Sequence, residues 1–165
     1  MAKGIGLLLG ILCIAAKVSA QTPFTTVDSI LVEKQKRILT LYHQDKVIKS
    51  YRIALGFSPE GHKTQQGDGK TPEGTYFIVG KNPFSKFHLS LKLSYPSQED
   101  QILAQKVGVN PGGDIMIHGL GAHVKAKGKW HVMRDWTLGC IALTDEEIEE
   151  IFNLADVGTK VQILP

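Results

Sequence analysis

The sequence is poor in cysteine and in aromatic residues. Only two of its 165 residues are Cys, and 7% are aromatic. It contains neither H-E-x-x-H nor C-x-x-C, the spacings typical of zinc sites, so neither a metal nor another cofactor is expected. We also find no internal repeat, no low-complexity tract and no internal domain boundary. With 42% hydrophobic and 21% charged residues, the composition is that of one globular domain.

A long hydrophobic run is also missing, apart from a short one near the N-terminus. Residues 5–16 are almost wholly apolar, but this run is shorter than the ~20 residues that cross a membrane. Lys3 precedes the run, and Val18-Ser19-Ala20 follows it with small residues that suit a signal peptidase. The pattern predicts a signal peptide over residues 1–20, a linker over 21–27 and one domain over 28–164, with no membrane span.

Removing the predicted signal peptide changes the charge and the cysteine count. Lys3 and Lys17 are two of 19 basic residues against 16 acidic ones, so the net charge falls from +3 to +1. A charge this small gives no reason to expect a nucleic-acid partner. Cys13 leaves with the signal, and Cys140 remains alone, as a buried, intermolecularly paired or reactive thiol.

The residue pattern predicts a mainly β, single-domain fold with two short α-helices. Ser97 and Thr144 are expected to begin the helices, and Thr144 with Glu147 forms a capping box. An alternating run over residues 89–94 predicts a strand with one buried face. The other predicted strands are residues 29–32 and 37–42 as a hairpin, 46–55, 75–79, 115–117 and 159–164. Residues 56–74 are a long Gly-rich and polar loop, a length that suggests function.

Cys140 lies in the segment Thr137-Leu138-Gly139-Cys140. A glycine before a cysteine lets backbone N–H groups turn toward a substrate carbonyl, where they stabilise an oxyanion. The alternative is a buried cysteine that packs as a small hydrophobic residue.

A cysteine nucleophile needs a base, and His118 is the first candidate among six histidines. It ends an apolar strand and opens on a glycine loop, a position that faces a cleft while the ring stays fixed. A nearby imidazolium lowers a thiol pKa, although a structural core histidine remains the alternative. Of the remaining histidines, His43, His62 and His123 are expected to be exposed. His88 and His131 could line a substrate groove.

These motifs together resemble the L,D-transpeptidase catalytic domain, the YkuD-type cell-wall enzymes. The family pattern is a His-Gly at a strand end followed by a [Ser/Thr]-x-Gly-Cys motif, here His118-Gly119 and 137–140. Residues 70–76, Lys-Thr-Pro-Glu-Gly-Thr-Tyr, match a further family segment. The resemblance extends over about residues 28–164 and implies a β-sheet sandwich carrying two short α-helices.

The resemblance implies a role for each motif residue. Cys140 would be the nucleophile, and His118 its proton acceptor and later donor. The amides of Gly139 and Cys140 would form the oxyanion hole, Gly119 would orient the imidazole, and Thr137 would support the loop. Candidate substrate-binding residues are Arg134, His88 and His131.

One position departs from the family pattern. Many members carry Arg or Asn two residues after the cysteine, where this chain has Ala142. Arg134 or Lys125 would have to supply the missing contact. The continuation Gly-Cys-Ile-Ala-Leu-Thr over residues 139–144 resembles a branch that includes hydrolytic members, which detach protein from peptidoglycan.

The implied function is that of an exported cysteine acyltransferase of the bacterial periplasm or cell envelope, acting in cell-wall crosslinking or remodelling. Its partners would be peptidoglycan stem peptides, with an envelope lipoprotein as a candidate. Cys140 would form a thioester and pass the acyl group to an amine. Transfer to water, as a carboxypeptidase or amidase, is the first alternative.

Three further readings complete the alternatives. A sortase also uses His and then Cys in a β fold, but it needs an Arg after the cysteine, and none follows Cys140. A papain-like amidase has its cysteine before its histidine. A peptidoglycan-binding module with a vestigial site would bind the wall without forming a covalent adduct.

Overall fold

The computed structural model describes residue 1, residues 26–122 and residues 124–165. The predicted signal peptide beyond Met1, most of the predicted linker, and His123 lie outside the described residues. In the part of the chain that is described, no helix has both the length and the apolar character needed to cross a bilayer.

Within the described residues, eight strands form one mixed sheet in the order β3-β2-β1-β8-β4-β5-β6-β7. The mainly β architecture predicted from the sequence is confirmed. The strands are β1 (Val27–Glu33), β2 (Ile38–His43), β3 (Lys46–Arg52), β4 (Gly74–Ser85), β5 (His88–Leu93), β6 (Met116–His118), β7 (Ile141–Ala142) and β8 (Ala155–Leu164).

The two ends of the domain meet in the middle of the sheet. β1 and β2 form the predicted antiparallel hairpin, and β1 begins at Val27, inside the predicted linker. β8 lies parallel to β1 and antiparallel to β4, so it joins the first three strands to the rest. This arrangement is decided by tertiary pairing, because β1 and β8 are far apart in sequence.

Two α-helices have the N-caps that the sequence predicts. α1 (Gln98–Lys106) begins after Ser97, and α2 (Asp145–Leu154) begins after Thr144. Each has a complete capping box. The N-cap side chain accepts the backbone N–H of the third helical residue, and the side chain of that residue accepts the backbone N–H of the N-cap. Both signals are local, since they need only four consecutive residues.

The sheet curls around a single apolar core to which both of its halves contribute. Ile30, Leu39 and Val161 pack from the first half and Leu91 and Ile117 from the second, each 1% exposed or less. β3 and β7 are the two edges, and an isolated antiparallel bridge joins Ala54, two residues after β3, to Ala142 in β7. The curl therefore brings the start of the long loop beside β7.

Four features differ from the sequence-based expectation. A kinked 3₁₀ segment, Lys125–Met133, and the two-residue strand β7 were not predicted. β4 extends well past the predicted strand over residues 75–79. Ser90, on the predicted solvent face of the alternating run, is 2% exposed.

Candidate active site

The pairing of β6 with β7 brings together the chain segments that carry His118 and Cys140. They pair in parallel, with Ile117 opposite Ile141 and His118 opposite Ala142. Cys140 directly precedes β7 and lies two residues before Ala142, the residue paired with His118. The two candidate catalytic residues are therefore two positions apart along this pair of strands.

The His118 imidazole is fixed by a hydrogen bond and by aromatic rings. It is 1% exposed, and its Nδ1–H donates to the Gly119 carbonyl oxygen at 2.6 Å. Phe87 stacks on the ring at a centroid distance of 4.3 Å, and Trp136 meets it edge-on at 6.0 Å. With Nδ1 as the donor, Nε2 is left as the proton acceptor.

Burial sets the protonation of both groups toward their neutral forms. Desolvation lowers the pKa of His118 to about 4, with a smaller contribution from His131. Desolvation also raises the pKa of the Cys140 thiol above its usual value, partly opposed by a backbone hydrogen bond from Met116. The thiol donates to the Asp114 carbonyl oxygen at 3.5 Å. At neutral pH the free site therefore holds a thiol and a neutral imidazole.

The loop before the cysteine is closed by Thr137. Its hydroxyl donates to the Cys140 carbonyl oxygen at 2.7 Å and accepts the Gly139 N–H at 3.1 Å. Gly139 has φ +131, and a Cβ there would lie 2.6 Å from the Lys70 carbonyl oxygen. Only glycine suits this position, because the backbone of another loop touches it. The Gly139 amide already has a partner, so it joins an oxyanion hole only if it releases the Thr137 hydroxyl.

A buried lysine holds the long loop over residues 56–74 in place through hydrogen bonds. Lys34 is 2% exposed, and its Nζ donates to the carbonyl oxygens of Gly61 and Thr71 and to the Glu73 carboxylate. The Thr71 hydroxyl accepts the Gly56 N–H at 3.0 Å. The same loop carries the Lys70 carbonyl oxygen that lies against Gly139. Lys34 therefore supports the cysteine loop indirectly, by holding the 56–74 loop in place.

Asp145 supports the other side of the site and was not singled out from the sequence. It is 6% exposed, and its Oδ1 accepts the N–H groups of Leu120 at 2.8 Å and Gly121 at 3.3 Å. It lies in the first turn of α2, where acidic residues are common, so no local signal separates it from its neighbours. Gly119 is required here, because a Cβ would lie 2.8 Å from Asp145 Oδ1 and from the Phe87 carbonyl oxygen.

The three candidate substrate-binding residues lie in different surroundings. Arg134 is exposed at the end of the 3₁₀ segment. His88 has its Nε2 2.6 Å from Glu149 Oε1. His131 is 2% exposed, and neither ring nitrogen bonds a described residue. Among the described residues, no three His, Cys, Asp or Glu side chains cluster as metal ligands would.

The departure at Ala142 also has a structural context. Ala142 is fully buried in β7 and exchanges backbone hydrogen bonds with Ala54 at 2.8 and 3.0 Å. Lys125 is largely exposed, and its Nζ lies 3.7 Å from Asp145 Oδ2. Lys125 therefore lies beside Asp145, the residue that supports the loop after His118.

Known proteins resemble the chain in sequence and in fold. It is 29% identical over 129 residues to the YafK protein of Escherichia coli strain K12, covering 74% of this chain and 45% of that protein. The structure of Pgp2 from Campylobacter jejuni, a helical cell shape determining protein, in its K307A mutant form matches with 27% identity and a TM-score of 0.63. That match covers 83% of this chain and 46% of Pgp2. The chain thus spans about half the length of these relatives.

Bd1075 of Bdellovibrio bacteriovorus shares the fold, with 22% identity and a TM-score of 0.60 over 87% of this chain and 50% of that one. The family model for the YkuD L,D-transpeptidase catalytic domain matches residues 28–163, which include both His118 and Cys140. The chain therefore belongs to the L,D-transpeptidase catalytic domain family.

Proposed function

We propose that this chain is an exported, cysteine-nucleophile L,D-transpeptidase that acts on peptidoglycan stem peptides. The observation that carries the proposal is the parallel pairing of β6 with β7, which sets His118 opposite Ala142, two residues after Cys140. The His118 Nδ1–H bond to Gly119 supports it further, because it leaves Nε2 free to take a proton. Nucleophile, base and orienting group are the three parts that such catalysis needs.

The proposed reaction begins from the neutral pair. His118 Nε2 takes the Cys140 proton as Sγ attacks the carbonyl carbon at a diaminopimelate–D-alanine type bond. The Cys140 N–H, joined by the Gly139 N–H once it leaves Thr137, donates to the developing oxyanion. The C–N bond then breaks, the imidazolium returns its proton to the departing D-alanine amine, and a thioester remains.

The second half of the reaction releases the enzyme. An amine of a second stem peptide attacks the thioester carbonyl, and His118 takes the amine proton and returns it to the Cys140 sulfur. A lysine of an envelope lipoprotein is a further acceptor of the same chemistry.

A hydrolase of the same family is the second candidate, and Ala142 is the observation that favours it. Ala142 is buried and offers no polar side chain at the position where many members carry Arg or Asn. Without that contact a stem-peptide acceptor is held less firmly, and water takes its place. The same thioester then yields a shortened stem or a released protein.

Intact-mass analysis tests the activity directly. The protein is incubated with purified disaccharide-tetrapeptide, and products are separated by chromatography. An adduct on Cys140 with dimeric product supports transpeptidation, whereas an adduct with shortened monomer only assigns hydrolysis. Cys140→Ala should form no adduct, and His118→Ala should form it far more slowly at neutral pH. An adduct on Cys140→Ala overturns the assigned nucleophile.

Failure of both adduct and product would favour the binding-module reading. In that case wall binding should survive Cys140→Ala, and pull-down with purified peptidoglycan measures it. Export is tested separately, by the N-terminal mass of the protein recovered from the periplasm. Cleavage after Ala20 supports the proposed localisation, and an intact N-terminus in the cytoplasm contradicts it.

A further inference from the structure

A polar cavity lies between β3, the 3₁₀ segment and the start of α2. Its volume is about 280 Å³. The polar residues that line it are Ser50, Arg52, Lys129, His131, Thr144 and Glu147. We call it the Arg52 cavity.

Strand pairing explains why these residues meet. Ala54 and Ala142 form an antiparallel bridge. Extending that register by two residues on each side places Arg52 opposite Thr144. The closure of the curled sheet therefore builds the floor of the Arg52 cavity, and the 3₁₀ segment supplies Lys129 and His131 from above.

His131 is the buried group that points to a ligand. It is 2% exposed, and neither Nδ1 nor Nε2 has a hydrogen-bond partner among the described residues. A buried imidazole without a partner costs free energy, and most buried polar side chains in proteins are satisfied. A neutral imidazole still offers one N–H donor to a ligand in the cavity.

The charges around the cavity favour an anion. Arg52 and Lys129 are exposed, and neither forms an ion pair with another described residue. Glu147 is the one carboxylate in the lining, and its Oε2 is already engaged by the Thr144 N–H at 3.0 Å. The lining therefore presents two cations without an ion-pair partner among the described residues and one carboxylate, so its net charge is positive.

The neighbouring cavity limits where the anion sits. It measures about 400 Å³ and shares Lys129 and Glu147 with the Arg52 cavity, but it adds Glu146 and Glu150. Glu150 is paired with Lys49 at 2.5 Å. Glu146 and Glu150 lie on that side, so an anion is favoured at the end of the Arg52 cavity formed by Arg52.

We propose that the Arg52 cavity binds an oxyanion, a carboxylate or a phosphate, through Arg52 and Lys129, with His131 donating its N–H. Guanidinium and ammonium groups form charge-assisted hydrogen bonds to such oxygens. The proposal stands on the cavity and its charges and does not depend on the activity proposed above.

Histidine NMR on the Cys140→Ala protein tests the site without turnover. The protein is titrated separately with inorganic phosphate and with N-acetyl-D-alanine at constant ionic strength, and the His131 signals are assigned from a His131→Asn spectrum. A saturable shift of His131 is expected. Arg52→Gln and Lys129→Gln should each weaken binding about tenfold, because each removes a charge-assisted bond. Lys46→Gln, which removes a charge from the far end of β3, should leave binding unchanged.

The two probes separate the sources of the anion. Saturation by N-acetyl-D-alanine alone supports a peptide carboxylate as the natural ligand, and saturation by phosphate supports a phosphate group. If neither probe moves His131, or if Arg52→Gln binds as tightly as its parent, the oxyanion site is refuted. Arg52 and Lys129 are exposed, so their variants are expected to fold, and thermal denaturation verifies this. Covalent adduct formation on the parent protein is measured separately, so the two proposals fail independently.

Discussion

Ala54 and Ala142 exchange both backbone hydrogen bonds, at 3.0 Å and 2.8 Å, although 88 positions separate them in the printed sequence. The pair joins the two edges of the curled sheet immediately beside Cys140 and opposite His118. The segment after β3, the start of the long loop and the cysteine strand are thereby held together. Changes to the groups that brace this junction should affect the reactivity of Cys140 as well as stability.

Gly139→Ala should abolish adduct formation and lower stability. The new Cβ would lie 2.6 Å from the Lys70 carbonyl oxygen, at a backbone φ of +131. Overpacking and backbone strain together should cost about 3 kcal/mol. Gly113→Ala is the matched control, since no atom lies within 4 Å of its Cβ position. Urea denaturation and adduct formation measure both, and equal losses in the two variants would count against the close-contact explanation.

Thr137→Val keeps the shape of the side chain but removes its hydroxyl, and it should loosen the cysteine loop. The change removes the donor to the Cys140 carbonyl oxygen and the acceptor of the Gly139 N–H. Two unsatisfied groups in a buried loop should cost about 2 kcal/mol, and acylation should slow. Thr137→Ser keeps the hydroxyl and should retain most of the rate. A valine variant that acylates as fast as the serine variant would show that the hydroxyl does not support the loop.

Asp145→Ala should disturb His118 indirectly, through the loop that follows it. The variant removes the acceptor of the Leu120 and Gly121 N–H groups, directly after the His118-Gly119 pair. We expect a loss of about 2 kcal/mol and a changed His118 NMR signal, because the loop that holds the Gly119 carbonyl is released. Asp145→Asn retains an oxygen acceptor and serves as the control. An unchanged His118 signal in the alanine variant would refute the supporting role.

The stability of the protein should fall as pH is lowered from about 6.5 to about 4. The ordinary histidine pKa is 6.5, but burial lowers that of folded His118 to about 4. Between these values the unfolded chain binds a proton that the folded chain does not, so acid favours unfolding. The loss should be on the order of 3 kcal/mol. Burial of His131 lowers its pKa as well and acts in the same direction.

Urea denaturation across this pH range measures the effect, with His118→Gln as the comparison. The variant should show a shallower dependence on pH, whatever its absolute stability. An identical slope in both proteins would contradict the assigned protonation state. Direct NMR titration of His118 offers an independent measurement.

The sequence alone determined the parts of this protein that depend on neighbouring residues. Both helix N-caps, the capping box at Thr144, the β1–β2 hairpin and the apolar strand before His118 were predicted, because turn chemistry, helix capping and strand alternation act over a few residues. The motifs around His118 and Cys140 also identified the family. The catalytic roles of these two residues remain predictions.

The tertiary structure decided which distant groups became neighbours. β7 has only two residues, too few for a periodic signal, and it exists because β6 pairs with it on one side and Ala54 on the other. Asp145 resembles any acidic residue in a first helical turn until Leu120 and Gly121 fold against it. The sequence did not indicate that His131 is buried with no hydrogen-bond partner among the described residues. Burial and long-range hydrogen bonding depend on the whole chain, so only the folded chain specifies them.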